Sequence, residues 1–250
     1  MYNWNWGILW APSADGQHTW LMTLVNGLGW TLVTAVCAGV IAIVLGSIVG
    51  VLRTTPHKWV VRLGNAYVEM FRNVPLLVQL FLWYFVLPEL LPKGIGDLLK
   101  SMAPPWGSFV PAVIGLGFFT SARVAEQVKA GIQALPRGQS MAGTALGLTL
   151  PQTYRYVLLP MAFRIIMPPL TSETMNLIKN TSVALTIGLI ELTAAARSMQ
   201  EFTFQVFEAF TAATVIYIIV NLITVNVMRW FEKRIAVPGF IGPSVAGGAH

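Results

Sequence analysis

The chain has 250 residues, 55% of them hydrophobic and only 10% charged, with a mean hydropathy of +0.66. Soluble domains carry about 25% charged residues, so there are too few polar side chains here to coat a water-exposed surface, and an integral membrane protein is expected. The net charge of +6 does not indicate nucleic acid, because the basic residues gather at the ends of apolar runs rather than on one face.

Residues 1–18 form a Trp-rich segment with Trp4, Trp6 and Trp10, followed by Trp20. No basic stretch precedes the first apolar run, so this is not the layout of a signal peptide. The tryptophans suit an aromatic belt at the outer membrane interface. Residues 19–52 carry no charge and exceed the roughly 20 apolar residues that a crossing helix needs. Within them, Gly46 and Gly50 form a GxxxG pair, the spacing that lets a second helix approach closely. A second span is expected over about 64–88, with Glu69 and Arg72 in its first turns. Residues 101–122 are uncharged and anchor a third, over about 104–128. Residues 129–163 are polar and basic, which predicts a loop between spans. A fourth span is expected over about 164–190, interrupted by Pro168-Pro169, Glu173 and Lys179, and a fifth over about 207–230. The Gly-rich tail, 236–250, is expected to be loose.

Five crossings place the termini on opposite sides. Eleven Lys and Arg residues fall on one side, and three (Lys93, Lys100 and Arg197) on the other. The basic side is expected to be cytoplasmic, which puts the N-terminus outside and the C-terminus and the 129–163 loop inside.

Charged and amide side chains within the spans are the candidates for a pathway. Arg123 lies at the inner end of an uncharged run, with Glu126 three residues on. Two readings are open: an ion pair with Glu126 one helical turn away, or a cation that meets an anionic substrate. Glu173 and Lys179 are six residues apart, on different faces of a regular helix, so they should not pair directly. The prolines before them suggest a bent helix lining a cavity. Asn180 and Thr181 add hydrogen-bonding groups to that segment, and Gln79 in the second span suits a bond between helices. The single cysteine, Cys37, forms no internal disulfide, and three scattered histidines give no metal-ligand spacing. There is no GxxxxGK[ST] phosphate loop, so the chain should not hydrolyse ATP itself.

Residues 138–160 read GQSMAGTALGLTLPQTYRYVLLP. Their layout resembles the signature of bacterial ABC-importer permeases: Glu-Ala-Ala, three residues, Gly, nine residues, then Ile-x-Leu-Pro. Met141, Ala142 and Gly143 stand at the first three positions, Gly147 at the glycine, and Val157 to Leu159 and Pro160 at the close. The chain departs from the pattern at Met141 and Gly143, and so lacks the signature glutamate. Phe71 to Gln79, Ala125 to Ile132 and Ile178 to Ser182 are similar to further segments of the polar amino-acid permeases, in the same order. Residues 88–92 and the Trp-Asn-Trp-Gly start are most similar to the glutamate/aspartate members.

The resemblance implies the all-α, five-helix type I importer fold and a permease without enzymatic activity of its own, in the bacterial inner membrane. It implies a second permease subunit, usually a different homologous chain, two copies of a cytoplasmic ATPase and an external amino-acid-binding protein. No cofactor is expected on this chain; ATP is used by the ATPase. Met141, Ala142, Gly143, Gly147, Leu159 and Pro160 are then the expected ATPase-coupling residues, and Arg123 would suit glutamate or aspartate. Alternatives are a permease for another polar amino acid or an ATP-independent secondary transporter, although no inverted repeat is visible.

Overall fold

The computed structural model describes residues 2–235 and is helical throughout, apart from turns and one isolated bridge between Pro12 and Thr19. The expected tail, 236–250, lies outside the described residues. Three helices are long and apolar enough to cross a membrane, namely α1 (Trp20–Leu52), α6 (Trp106–Gln133) and α11 (Val206–Ile235). The number rises to five if each of two bent helix pairs counts as one span.

Helix α1 is capped by Thr19, whose hydroxyl accepts the Met22 N–H at 3.3 Å. It runs along α6, the most enclosed helix of the bundle. The two backbones meet at the GxxxG pair. A Cβ on Gly46 would lie 2.6 Å from Val124 Cβ, and one on Gly50 would lie 2.7 Å from Val128 Cβ. Only glycine permits that approach.

The stretch expected as one span over 64–88 is two helices. An amphipathic α2 (Lys58–Asn73) ends at Val74, and a second segment, Leu76–Leu90, leaves at 102°. Pro75 causes the break: it removes an N–H and holds Val74 extended, at φ −93° and ψ 127°. The second segment comprises α3 (Leu76–Phe81), a π-turn (Leu82–Val86) and α4 (Leu87–Leu90). Glu69 and Arg72 sit on α2, before the bend. A short α5 (Lys93–Lys100) precedes α6.

After α6 come α7 (Arg137–Ala145), α8 (Leu150–Thr153), a second π-turn (Tyr154–Leu158) and α9 (Leu159–Asn180). Both π-turns end two residues before a proline, Pro88 or Pro160. A π-turn widens the helix where the proline ring would crowd a carbonyl one turn back. Pro168-Pro169 do not interrupt the helix, because α9 runs through both prolines. The chain turns later, at Gly188 (φ +86°), after a 3₁₀ turn (Thr181–Ile187), and α10 (Leu192–Thr203) departs at 51°.

Two buried glutamates tie down the end of the bundle that holds the N-terminal segment. Glu191 caps α10 by accepting the Thr193 and Ala194 N–H groups and the Tyr217 hydroxyl, at 2.9, 2.8 and 3.0 Å. Glu208 accepts the Asn5 N–H at 2.7 Å and the Tyr2 hydroxyl, which straps the N-terminal segment onto α11. In the same segment, Ser13 donates to Asp15 at 2.6 Å and His18 sits 2.9 Å from its other oxygen. These contacts hold the Asp15 carboxyl well below the usual carboxylate range, Ser13 contributing most.

Gly50→Leu should separate α1 from α6 and destabilise the fold by about 1–3 kcal/mol, the usual effect of overpacking. Gly29, on the same helix, has open space around it, so Gly29→Leu should leave the thermal midpoint in detergent unchanged. The comparison of the two midpoints checks the packing.

Candidate functional site

Arg123, Glu126 and Gln127 lie three and four residues apart on α6 and so share one face. Helix α9 brings Glu173 to that face, and the end of α2 brings Arg72. Together the five side chains line a polar cavity of about 330 Å³. Arg123 lies 3.9 Å from Glu173, close enough for charge attraction but too far for a hydrogen bond. Its guanidinium sits over the Phe119 ring at 5.1 Å, and its side chain stays 43% exposed. The buried oxygens Glu173 Oε2 and Gln127 Oε1 have no hydrogen-bond partner. The cavity thus offers free donors on arginine beside free acceptors.

Glu126 is engaged elsewhere. Its Oε1 accepts from Arg53 at 2.9 Å and from Arg72 at 3.1 Å. The Arg123–Glu126 pair, one of the two readings of the sequence, is not formed. Arg53, at the end of α1, is buried. Its Nε donates to Asn65 of α2 at 2.8 Å, and its stem fills the space that a Cβ on Gly64 would need. One carboxylate therefore joins α1, α2 and α6.

The remaining predicted pathway residues are dispersed. Gln79 is buried, and its amide donates to the Phe71 and Val74 carbonyls, both at 2.8 Å, which satisfies the end of α2 across the proline break. Lys179 is exposed on α9 and Asn180 ends that helix. Thr181 is buried and donates to the Ile178 carbonyl at 2.7 Å. None of the four lines the cavity. Sequence reasoning missed Arg72, Gln127 and Arg53. Gln127 was detectable at four residues from Arg123; the two arginines reach the site only through the turn into α2.

In the expected coupling segment, α7 ends in a Schellman turn. The Leu148 N–H bonds to the Gly143 carbonyl at 3.1 Å and the Gly147 N–H to the Thr144 carbonyl at 3.0 Å, with Gly147 at φ +76°. Pro151 lies in the first turn of α8, where a missing N–H costs nothing. Gly143 is buried against Thr153, so it packs on its own chain. Met141, Leu146 and Leu150 are exposed around the turn, as are Ala142 and Pro160, while Leu159 is half-buried.

Residues 42–237 match the family described as binding-protein-dependent transport system inner membrane component. The chain belongs to this family. It is a membrane permease subunit and not an enzyme. It is similar to the glutamate/aspartate import permease protein GltJ of Escherichia coli (strain K12), with 47% identity covering 96% of this chain and 98% of the relative. It also resembles the glutamate/aspartate import permease protein GltK of Escherichia coli O6:H1, with 30% identity over 94% of this chain and all of the relative. Among solved structures, an amino acid ABC transporter crystallised with histidines superposes with a TM-score of 0.71 and 31% identity, over 86% of this chain and 95% of that one. The Glu126 junction shares its cavity with Arg123, Gln127 and Glu173.

Glu126→Gln should leave the Arg53 charge buried without a counter-charge. The expected loss is about 2 kcal/mol, less than the ~3–5 of a fully buried pair because Glu126 is partly exposed. Adding Arg53→Met should recover most of it. Thermal denaturation of both variants in detergent checks this, and additive losses would refute the junction.

Proposed function

We propose that this permease imports acidic amino acids, glutamate or aspartate, as one of two membrane subunits of an ATP-driven transporter. The observation that carries the reading is the pairing of free donors and acceptors in the α2–α6–α9 cavity. A guanidinium binds a carboxylate in two parallel hydrogen bonds, which gives orientation as well as charge. Arg123, with exposed donors, suits a substrate carboxylate, and Glu173, with an unpartnered buried oxygen, suits the ammonium. The 47% identity to a glutamate/aspartate import permease supports the same substrate class.

In this reading the N-terminus faces outward and the C-terminus faces the cytoplasm, as the positive-inside distribution favours. The turn between α7 and α8 faces an ATPase, and Met141, Leu146 and Leu150 are its apolar contacts. Two copies of that ATPase close on binding ATP, and α7–α8 passes the movement through α9 to Glu173. An external binding protein delivers the substrate to the outward-open pathway. The second membrane subunit is a different homologous chain; two E. coli proteins similar to this one, GltJ and GltK, both carry the name glutamate/aspartate import permease. The transporter changes state because ATP binds the two states with different affinity.

Arg123→Ala should reduce glutamate uptake in proteoliposomes at least tenfold, the effect of losing a charged hydrogen bond of about 1.5–3 kcal/mol. The ATPase should still co-purify. Unchanged uptake would refute the substrate assignment. Leu146→Asp should do the reverse and release the ATPase from the complex while the chain stays folded; an ATPase retained at wild-type stoichiometry would move the coupling surface elsewhere.

A further inference from the structure

Helix α2 has two apolar faces, and among the described residues only one has a partner. Gly64, Val68 and Phe71 are buried against the α1–α6 pair. On another face, Trp59, Leu63 and Met70 are spaced four and seven residues apart and are 74%, 73% and 57% exposed. Lys58 and Arg62 stand beside that stripe, one turn apart and exposed, and the Arg62 guanidinium lies 5.0 Å from the Trp59 ring centroid.

The position of α2 says what covers this face. The uncharged α1 ends at Leu52 and α2 begins at Lys58, so α2 starts at a membrane edge. Of the two segments that meet at Pro75, Leu76–Leu90 holds no charge before Glu89, whereas α2 holds Lys58, Arg62, Glu69 and Arg72. The first therefore enters the bilayer, and the 102° bend lays α2 close to the membrane plane. A helix in that position, with an apolar stripe, a tryptophan and basic neighbours, has the pattern of one seated at the lipid interface. Basic side chains there are attracted to anionic headgroups, and their long stems reach the headgroup level while the apolar stripe meets the acyl chains.

We propose that α2 is a binding site for anionic phospholipid, with Lys58 and Arg62 on the headgroup and Trp59, Leu63 and Met70 against the chains. The bound lipid would steady the helix whose far end carries Arg72 to Glu126. The inference rests on the membrane placement of the fold and not on which amino acid is transported.

The test uses the chain in its complete transporter, reconstituted in nanodiscs of phosphatidylcholine with increasing phosphatidylglycerol. Bound lipid is read by mass spectrometry, and lipid contact by quenching with brominated phosphatidylglycerol, taken as the difference between wild type and Trp59→Phe. The expected result is a preference for phosphatidylglycerol on the order of tenfold, with quenching at Trp59. The double variant Lys58→Gln/Arg62→Gln should lose that preference at an unchanged thermal midpoint, and Lys58→Arg/Arg62→Lys should keep it. A preference unchanged in the glutamine variant would overturn the proposal. So would protection of Trp59 from brominated lipid together with loss of the second permease subunit in Trp59→Ser, since the face would then be a protein interface.

Discussion

The close approach of α1 and α6 is the contact on which the other elements are built. Gly46 and Gly50 remove the side chains that would hold the helices apart, so Val124 and Val128 of α6 rest on the α1 backbone. Lipid chains are as apolar as leucine, so helices gain little from hiding apolar surface from each other. Packing contact and polar bonds must hold them instead. Once α1 and α6 are in register, Arg53 at the end of one meets Glu126 of the other, and that pair receives Asn65 and Arg72 from α2. Helix α9 lies on the same α6 and carries Glu173 to Arg123.

Each departure from helix comes with its own backbone partners. A bilayer core supplies no water to an open carbonyl or N–H, so such groups must be satisfied from within. At the Pro75 break, the Gln79 amide covers two carbonyls. At the Gly188 turn, the Gly188 and Leu189 N–H groups bond back to Leu185 and Ala184, Ser108 donates to the Ile187 carbonyl at 2.7 Å, and Glu191 caps the next helix. Gln79 is accordingly a residue of the bend. Its amide nitrogen serves the backbone, while its buried Oε1 has no hydrogen-bond partner.

The charges divide by function along the same lines. Glu126 is held by two arginines, one of them buried, and works as a joint. Arg123 and Glu173 attract each other across 3.9 Å without a hydrogen bond between them. The two carboxylates lie on different helices but line the same cavity, and they differ in the number and closeness of their partners.

Composition and the long uncharged runs were enough to indicate a helical membrane protein, and the motif order pointed to its family. These features are local, because hydropathy over some 20 residues is decided by side chains alone. Arg123 and Glu173 were legible as candidates for a similar reason, since an isolated charge in an apolar run stands out. Their meeting was not legible: Glu126, one turn from Arg123, is the nearer partner in sequence, but the folded chain gives it to Arg53, 73 residues away, and to Arg72. The bends behaved in the same way. Pro75 broke its helix by 102° while Pro168-Pro169 did not break theirs. A proline removes one bond wherever it stands, but whether the helix stops depends on what the surrounding helices offer the freed groups. Sequence determined which segments could enter the bilayer; the packing of α1, α2, α6 and α9 decided which charges face one another.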